Sequence, residues 1–375
     1  MNFQSIPGLG EVKQRLTTSV KEGMVAHALL FQGRPGSLSL PLALSYAGYL
    51  HCENRGIDAC GQCAACTLSK KHIHPDTHFA YPVGNMKSDL KENDEAALRS
   101  ELLKLWRGFL TENLFGSPAD WTAHYGGEDK QPIISREDGR EIIRNLSLKP
   151  FQSKFKVMII WQPEMMHPSA SNSILKILEE PPANTIFILV TNRAEQLLPT
   201  VLSRTQIVSV PLLSDQEIEN KLLSIGVDKI KIANLIALAD GNLNMAMRLV
   251  DEEASHHHEV FLDWMRSCFK SDFGRIVSMA EEFHEKDRLY QRTFLQYAMS
   301  MIRETLLGFS GADQLHRTRG GEREFVDKFK TVFNITKLDA SYQLLNDAAY
   351  FIERNGSAKM IFTDLSIQFN RVLRG

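Results

Sequence analysis

Four of the five cysteines, Cys52, Cys60, Cys63 and Cys66, fall within one short stretch, in the spacing C-x7-C-x2-C-x2-C. A two-residue gap lets consecutive thiolates converge on one ion, and the longer gap brings in the fourth. Zinc accepts four sulfurs tetrahedrally without redox chemistry. A closed set of four leaves no open position for water, so the expected site is a structural zinc knuckle rather than a catalytic centre. An iron–sulfur cluster and a redox pair are the alternatives the spacing leaves; a zinc enzyme is opposed by the lack of a free ligand position. Gly61 stands where the turn between two ligands needs a residue tolerant of positive φ. His72, His74 and His78 are close enough in sequence to replace one cysteine, but read first as ordinary polar loop residues. Cys268, alone in a helical stretch, reads as a small buried apolar group, and His256-His257-His258 as a solvated helix face.

A second constellation lies at Gly33-Arg34-Pro35-Gly36-Ser37-Leu38-Ser39-Leu40, directly after the apolar run Ala28–Phe31. A phosphate loop needs a strand, a glycine-rich turn with N–H groups facing the phosphates, a lysine, and a Ser or Thr for magnesium. Gly33 and Gly36 match. Leu38 replaces the third glycine, Ser39 the lysine and Leu40 the magnesium hydroxyl. The acidic pair expected at the end of the next core strand is missing too: KVMIIW runs into Gln162 and Pro163, and Glu164 comes two residues late. Loss of the lysine, the hydroxyl and both acids together predicts a degenerate loop without functional ATP binding. The competing reading is an active ATPase of atypical design, with Arg34 and Glu164 as substitutes.

The elements that would carry these residues alternate. Val12, Leu16 and Val20 mark a helix over 11–22, and apolar residues of 38–50 mark another. Strands are expected at 28–31, 77–82, 156–161, 185–190 and 206–210; the continuous apolar runs Lys156–Trp161 and Thr185–Val190 suit a parallel sheet covered on both faces. Helices are expected over 135–146, opened by Ser135, and over 169–179, ended by Pro181-Pro182. This is the pattern of a parallel α/β domain. Residues 84–132, a charged helical stretch over about 88–114 followed by a Gly/Pro/Asp-rich segment, read as an insertion. After Pro211 only helical patterns recur, with a Gly/Arg-rich loop near 308–322. The expected domains are 1–211, with the knuckle at 52–66; a small helical lid, 212–253; and an all-helical domain, 254–375.

At roughly 150 residues per domain, 375 residues suit two to three domains. A content of 43% apolar and 23% charged residues excludes global disorder. The 43 Lys and Arg against 45 Asp and Glu leave a formal charge of −2, which excludes a highly basic nucleic-acid-coating protein but not a local basic face. No apolar run approaches the roughly 18 residues of a membrane span. Met1–Leu9 lacks a basic cluster followed by an apolar block, so no secretory signal is expected. The chain is read as cytoplasmic, without membrane partners.

Several segments resemble the delta-prime family of bacterial DNA polymerase III clamp-loader subunits, of the AAA+ class: His27–Gly33, the cysteine knuckle with His74-Pro75-Asp76, Ser173–Pro182 with its Glu-Glu-Pro-Pro, and Leu202-Ser203-Arg204. Their order matches over about residues 3–250. The resemblance implies an AAA+-type domain, a lid and a helical collar. It implies that Arg204, with Ser203 beside it, reaches in trans to a neighbouring subunit's ATP. An arginine so placed stabilises the charge on the transferring phosphoryl group; read without the family, Arg204 is a surface arginine after a helix. Implied partners are the clamp-loader ATPase and delta-type subunits, the sliding clamp and primed DNA within the assembly. Thr205 stands where active relatives carry cysteine, and Asn244 where they carry a lid arginine. Thr191 ends the fourth core strand at a polar position. Net charge lends DNA contact no support, so binding by this subunit alone is expected to be weak and salt-sensitive.

Overall fold

The computed structural model describes residues 2–84, 95–127, 132–229, 232, 235–236, 239–251, 254–286, 288–309, 321–331, 333–354 and 356–374. Five strands, β1 (Ala28–Gly33), β2 (Thr77–Ala80), β3 (Lys156–Trp161), β4 (Thr185–Thr191) and β5 (Gln206–Val210), form one parallel sheet in the order β2-β3-β4-β1-β5. This is the expected α/β class, a parallel-sheet domain. All residues of β3 and β4 are buried, as continuous apolar runs in a sheet covered on both faces should be. The edge strand β5 buries only Val208 and Val210, on alternate positions.

Helices α1 (Gly10–Lys21), α2 (Ser39–His51) and α3 (Ala64–Lys70) precede β2. Every residue of α2 is buried, so it serves as core rather than as an amphipathic surface helix. Between β2 and β3 run α4 (Glu95–Glu112), α5 (Pro118–His124) and α6 (Arg136–Ser147); between β3 and β4 runs α7 (Pro168–Glu179). Ile142, Leu146, Ala170, Ile174 and Leu178 of α6 and α7 cover Leu30, Met158, Ile160, Phe187 and Leu189 of the sheet. A Cβ on Gly139 would lie 2.9 Å from the Ala170 methyl, so glycine sets how closely α6 approaches α7. Ser135 opens α6 with a reciprocal box: its amide donates to Asp138 at 2.8 Å, and the Asp138 amide to the Ser135 hydroxyl at 3.2 Å.

Helices α4 and α5 add an aromatic cluster that reaches the sheet, Trp106 meeting Trp161 of β3 at 5.2 Å between centroids. Trp106 of α4 stacks on Tyr81 at 4.3 Å between centroids and meets Trp121 of α5 edge-on at 5.0 Å. Trp121 donates its indole N–H to the Pro82 carbonyl at 2.8 Å. The expected helix over 88–114 is observed from Glu95 to Glu112; its first part and the stretch 128–131 lie outside the described residues.

The described chain falls into two compact units, Met1–Glu217 with Gly241–Asn244, and Ile218–Asp240 with Met245–Gly375. Short α8 (Pro199–Leu202) belongs to the first, and α9 (Asp215–Ser224) begins in it. The second holds α10 (Leu243–Asp251) from Met245, α11 (Ala254–Lys270), α12 (Phe273–Glu285), α13 (Arg288–Phe309), α14 (Gly321–Phe329), α15 (Ile335–Glu353) and α16 (Ala358–Arg374). Its core centres on Trp264, packed against Phe294, Phe362 and Phe369 and bonded to the Ser366 hydroxyl at 2.8 Å. Cys268 is fully buried there, its thiol pushed up to about 12 by burial, as an apolar filler should be. The Gly/Arg-rich loop near 308–322 lies largely outside the described residues.

Two histidine readings are corrected. The 256–258 run is not a solvated face: His257 is buried and shares a hydrogen bond with the Thr293 hydroxyl at 3.0 Å, and His258 one with Tyr297 at 2.6 Å. The side chain of His256 lies outside the described residues. His72 and His74 are not polar loop residues either; both are buried. The sequence hid this because imidazole satisfies a buried hydrogen-bonding position as readily as an exposed one.

His72 supplies an acid-sensitivity prediction. Burial pushes its imidazole down to about 4. The ring is thus neutral in the fold but protonates near 6.5 in the unfolded chain. Stability present above 6.5 is lost as pH falls toward 4, by up to about 3 kcal/mol. His72 has φ +56°, which asparagine tolerates. Denaturant melts at neutral and mildly acid pH should show a smaller acid loss for His72→Asn than for the parent; equal losses would contradict this.

Candidate functional site

The four cysteine sulfurs come together. Cys52 follows α2 directly, Cys63 caps α3 and Cys66 lies in its first turn. Their sulfurs all lie within 4.8 Å of one another, with Cys60 and Cys66 at 3.9 Å. Tetrahedral zinc with Zn–S near 2.3 Å sets its sulfurs about 3.8 Å apart. The donor set therefore fits a tetrahedral thiolate site. Gly61 has φ +73°, as the turn requires. Backbone N–H groups of Cys60, Cys63 and Cys66 donate to the sulfurs of Cys52, Cys60 and Cys63 at 3.2–3.4 Å. The Gln62 amide, with that of Cys63, holds the Cys60 thiol down at about 6, while burial pushes Cys52 and Cys66 up.

The knuckle is tied into the domain. Asp58, between the first two ligands, accepts the amides of Phe3 at 3.0 Å and Gln4 at 2.9 Å, and Tyr49 of α2 donates to the Gly56 carbonyl at 3.1 Å. No histidine joins the cluster among the described residues. His74 instead stacks on His51 at 3.9 Å and accepts the Asp76 amide at 3.2 Å. Asp76 accepts the amides of Phe151, Gln152 and Ser153 at 2.6–2.8 Å, fixing the loop before β3. Burial alone would raise its carboxyl; these N–H groups hold it below the ordinary range.

The turn after β1 is filled by its own chain. A Cβ on Gly33 would overlap the Ser37 hydroxyl, which lies 2.9 Å from that of Ser39. Gly36, at φ +88°, has the Asn242 side chain against it, where a Cβ would collide. Asn192, just past β4, donates to the carbonyls of Gly33 at 3.1 Å and Arg34 at 3.0 Å, and accepts from Gln162 at 3.0 Å. Leu38, Ser39 and Leu40 are all buried. The Cβ directions of Gly33 and Gly36 are thus taken up by Ser37 and Asn242.

Glu164 is half-buried and accepts from Thr191 at 2.9 Å; desolvation pushes its carboxyl up. Arg34 is exposed. Asn244 donates to Asp120 of the insertion at 3.0 Å, and Asp120 also caps α5 through Ser117. Glu217 links the segment before α9 to the N-terminus: it accepts the Ser214 amide at 2.8 Å and the Leu9 amide at 3.3 Å.

Arg204 follows α8. Its guanidinium donates to the Thr200 carbonyl at 2.9 Å and the Ser203 hydroxyl at 3.3 Å, and pairs with Glu179 at the end of α7. The Arg204 side chain keeps about a third of its surface exposed. Among the described residues neither Arg204 nor Ser203 makes a hydrogen bond or ion pair to the cysteines or to the turn after β1. Sequence reading missed Ser37, Asn192 and Asn242 as plugs, and Glu179 as the partner of Arg204. The one available hint was position: Asn192 follows the last strand residue facing the turn.

A family profile described as "DNA polymerase III, delta subunit" matches residues 8–214, more than half of the chain. DNA polymerase III subunit delta' of Bacillus subtilis (strain 168) is 26% identical over 238 residues, 64% of this chain and 58% of that protein. The Haemophilus influenzae delta' subunit is 25% identical over 260 residues, 68% of this chain and 64% of that protein. The chain thus matches less than two thirds of the length of these relatives. A gamma-subunit-related protein of Thermotoga maritima superposes over 96% of this chain and 99% of its own, with a TM-score of 0.44 and 15% identity.

Proposed function

The chain belongs to the DNA polymerase III delta subunit family, and from that premise we infer that it is a non-hydrolysing clamp-loader subunit. It holds a ring of ATPase subunits, offers Arg204 to a neighbour's nucleotide, and helps place the sliding clamp on primed DNA. In this reading residues 212–253 form the lid and 254–375 the collar that meets other subunits. The cysteines hold one structural zinc, which supplies cross-linking and no step of a reaction.

The observation that carries the reading is the plugged turn. Catalysis of phosphoryl transfer is mostly positioning plus charge stabilisation around magnesium and phosphate. Here the Ser37 and Asn242 side chains stand against Gly33 and Gly36, Asn192 binds the Gly33 and Arg34 carbonyls, and Ser39 and Leu40 hold the positions of the lysine and the magnesium hydroxyl. Arg204, in contrast, sits partly exposed beyond its own sheet, held by a single carboxylate that a phosphate can replace. Its Nη1 donates to the Thr200 carbonyl, while Nη2 pairs with Glu179.

Ser39→Lys tests the reading within this chain. Restoring the cation alone should give no magnesium-dependent phosphate release, because the hydroxyl at Leu40, the two acids and the space over Gly33 are still lacking. Turnover by this single variant would favour an active site waiting on one residue.

A further inference from the structure

In the second unit the last turns of α11, α14 and α16 frame an open groove. Its floor is apolar: Met265, Phe329 and Leu373 are buried. Phe269 stands at the rim and is 54% exposed, although it is a large aromatic. Three cations, Arg266, Lys270 and Lys328, surround this floor.

Among the described residues none of the three has an ion-pair partner. Two acids close to them in sequence are engaged elsewhere. Asp263 accepts two hydrogen bonds from Arg275, at 2.9 and 3.0 Å. Asp327, beside Lys328, faces Arg323 at 3.6 Å and Lys330 at 3.8 Å. Arg266 and Lys270 are moreover four residues apart on one helix, where like charges repel. In a chain of net charge −2, three unneutralised cations around an aromatic floor form a local site of opposite sign to the whole.

An occupant must therefore bring both apolar side chains for the floor and carboxylates for the rim. An amphipathic helix does this when its apolar residues recur at i, i+3, i+4 and i+7 and acids flank them. We propose that this groove docks an acidic amphipathic helix of a partner protein, its apolar stripe on Met265, Phe269 and Phe329 and its carboxylates against Arg266, Lys270 and Lys328. The inference is independent of the nucleotide-site reading.

The test uses the full chain and a fluorescein-labelled synthetic peptide of Leu, Glu and Ala with leucines at that helical spacing. Its comparators are a scrambled peptide of the same composition and the version with Lys for Glu. Fluorescence anisotropy should show saturable binding of the Glu helix, weaker by at least about tenfold for each comparator. Arg266→Glu combined with Lys270→Glu, both at exposed positions, should weaken the Glu helix by at least about tenfold and bring in the Lys peptide. Phe269→Ser should weaken the Glu helix without that exchange. Circular dichroism should show each variant folded. Equal binding of the scrambled peptide, or indifference to the charge reversal, would overturn the proposal. So would displacement of the peptide by a single-stranded oligonucleotide, or self-association of the chain that the same substitutions abolish.

Discussion

Arg204→Ala should lower ATP turnover at the neighbouring site we propose it serves by about a thousandfold or more, the scale an arginine supplied in trans contributes to phosphoryl transfer. The substitution removes a partly exposed side chain whose contacts are one carbonyl, one hydroxyl and Glu179. None of these is buried core, so the chain should still fold and still enter the assembly. Reconstitution with the motor subunit, with and without clamp and primed DNA, separates the two effects: complex formation by gel filtration stays normal while clamp-stimulated hydrolysis falls. The loss in total rate is smaller than the loss at the served site when other sites keep turning over, so single-turnover measurement is the cleaner reading. Unchanged hydrolysis in an intact complex would remove the finger from the account. A complex that fails to form would place Arg204 in assembly rather than in chemistry.

Cys63→Ser abolishes tight metal binding and destabilises the first unit. Metal binding to a four-thiolate knuckle is worth on the order of 10 kcal/mol of folding free energy at neutral pH, and a serine hydroxyl does not replace a thiolate as a zinc ligand. The effect should spread beyond the knuckle, because Asp58 on its loop holds the Phe3 and Gln4 amides, and α2, which runs into Cys52, is buried along its whole length. Elemental analysis should find one zinc per parent chain and little in the variant, with a lower melting temperature. A chelator should bring the parent toward the variant. Lowering the pH should release the metal as well, since protonation of the thiolates competes with it. Cys268→Ser, at a buried position in the other unit, is the control and should leave metal content unchanged. Full zinc in Cys63→Ser, or none in the parent, would contradict the assignment.

The strands were legible because a parallel sheet covered on both faces demands uninterrupted apolar runs, and KVMIIW and TIFILV admit few other placements. The cysteine site was legible because its ligands are local: the spacing that suggests an ion also closes the loop around it. Ser135 and Pro181-Pro182 marked the ends of α6 and α7 by local backbone chemistry. The plug in the phosphate turn was not legible. Asn192 and Asn242 reach Gly33 and Gly36 from far along the chain, and no local pattern distinguishes an asparagine that fills a cradle from one in a loop. The missing lysine and acids could be read as losses; what replaced the ligand could not. The buried histidines failed for a related reason, since His74 and His257 are placed by tertiary partners, His51 and Thr293. Residues 95–127 showed their helices but not their anchoring: Trp106 packs on Trp121 and on Trp161 of β3, and Asn244 is tied to Asp120 across 124 positions.

The most direct measurement is calorimetric titration of the purified chain with ATP and magnesium, paired with an assay of phosphate release. The expected result is no saturable heat into the millimolar range and no turnover, because Ser39 and Leu40 stand where a phosphate-binding lysine and a magnesium hydroxyl would be needed, and Ser37 and Asn242 pack against Gly33 and Gly36. A micromolar dissociation constant accompanied by magnesium-dependent hydrolysis in the isolated chain would contradict it.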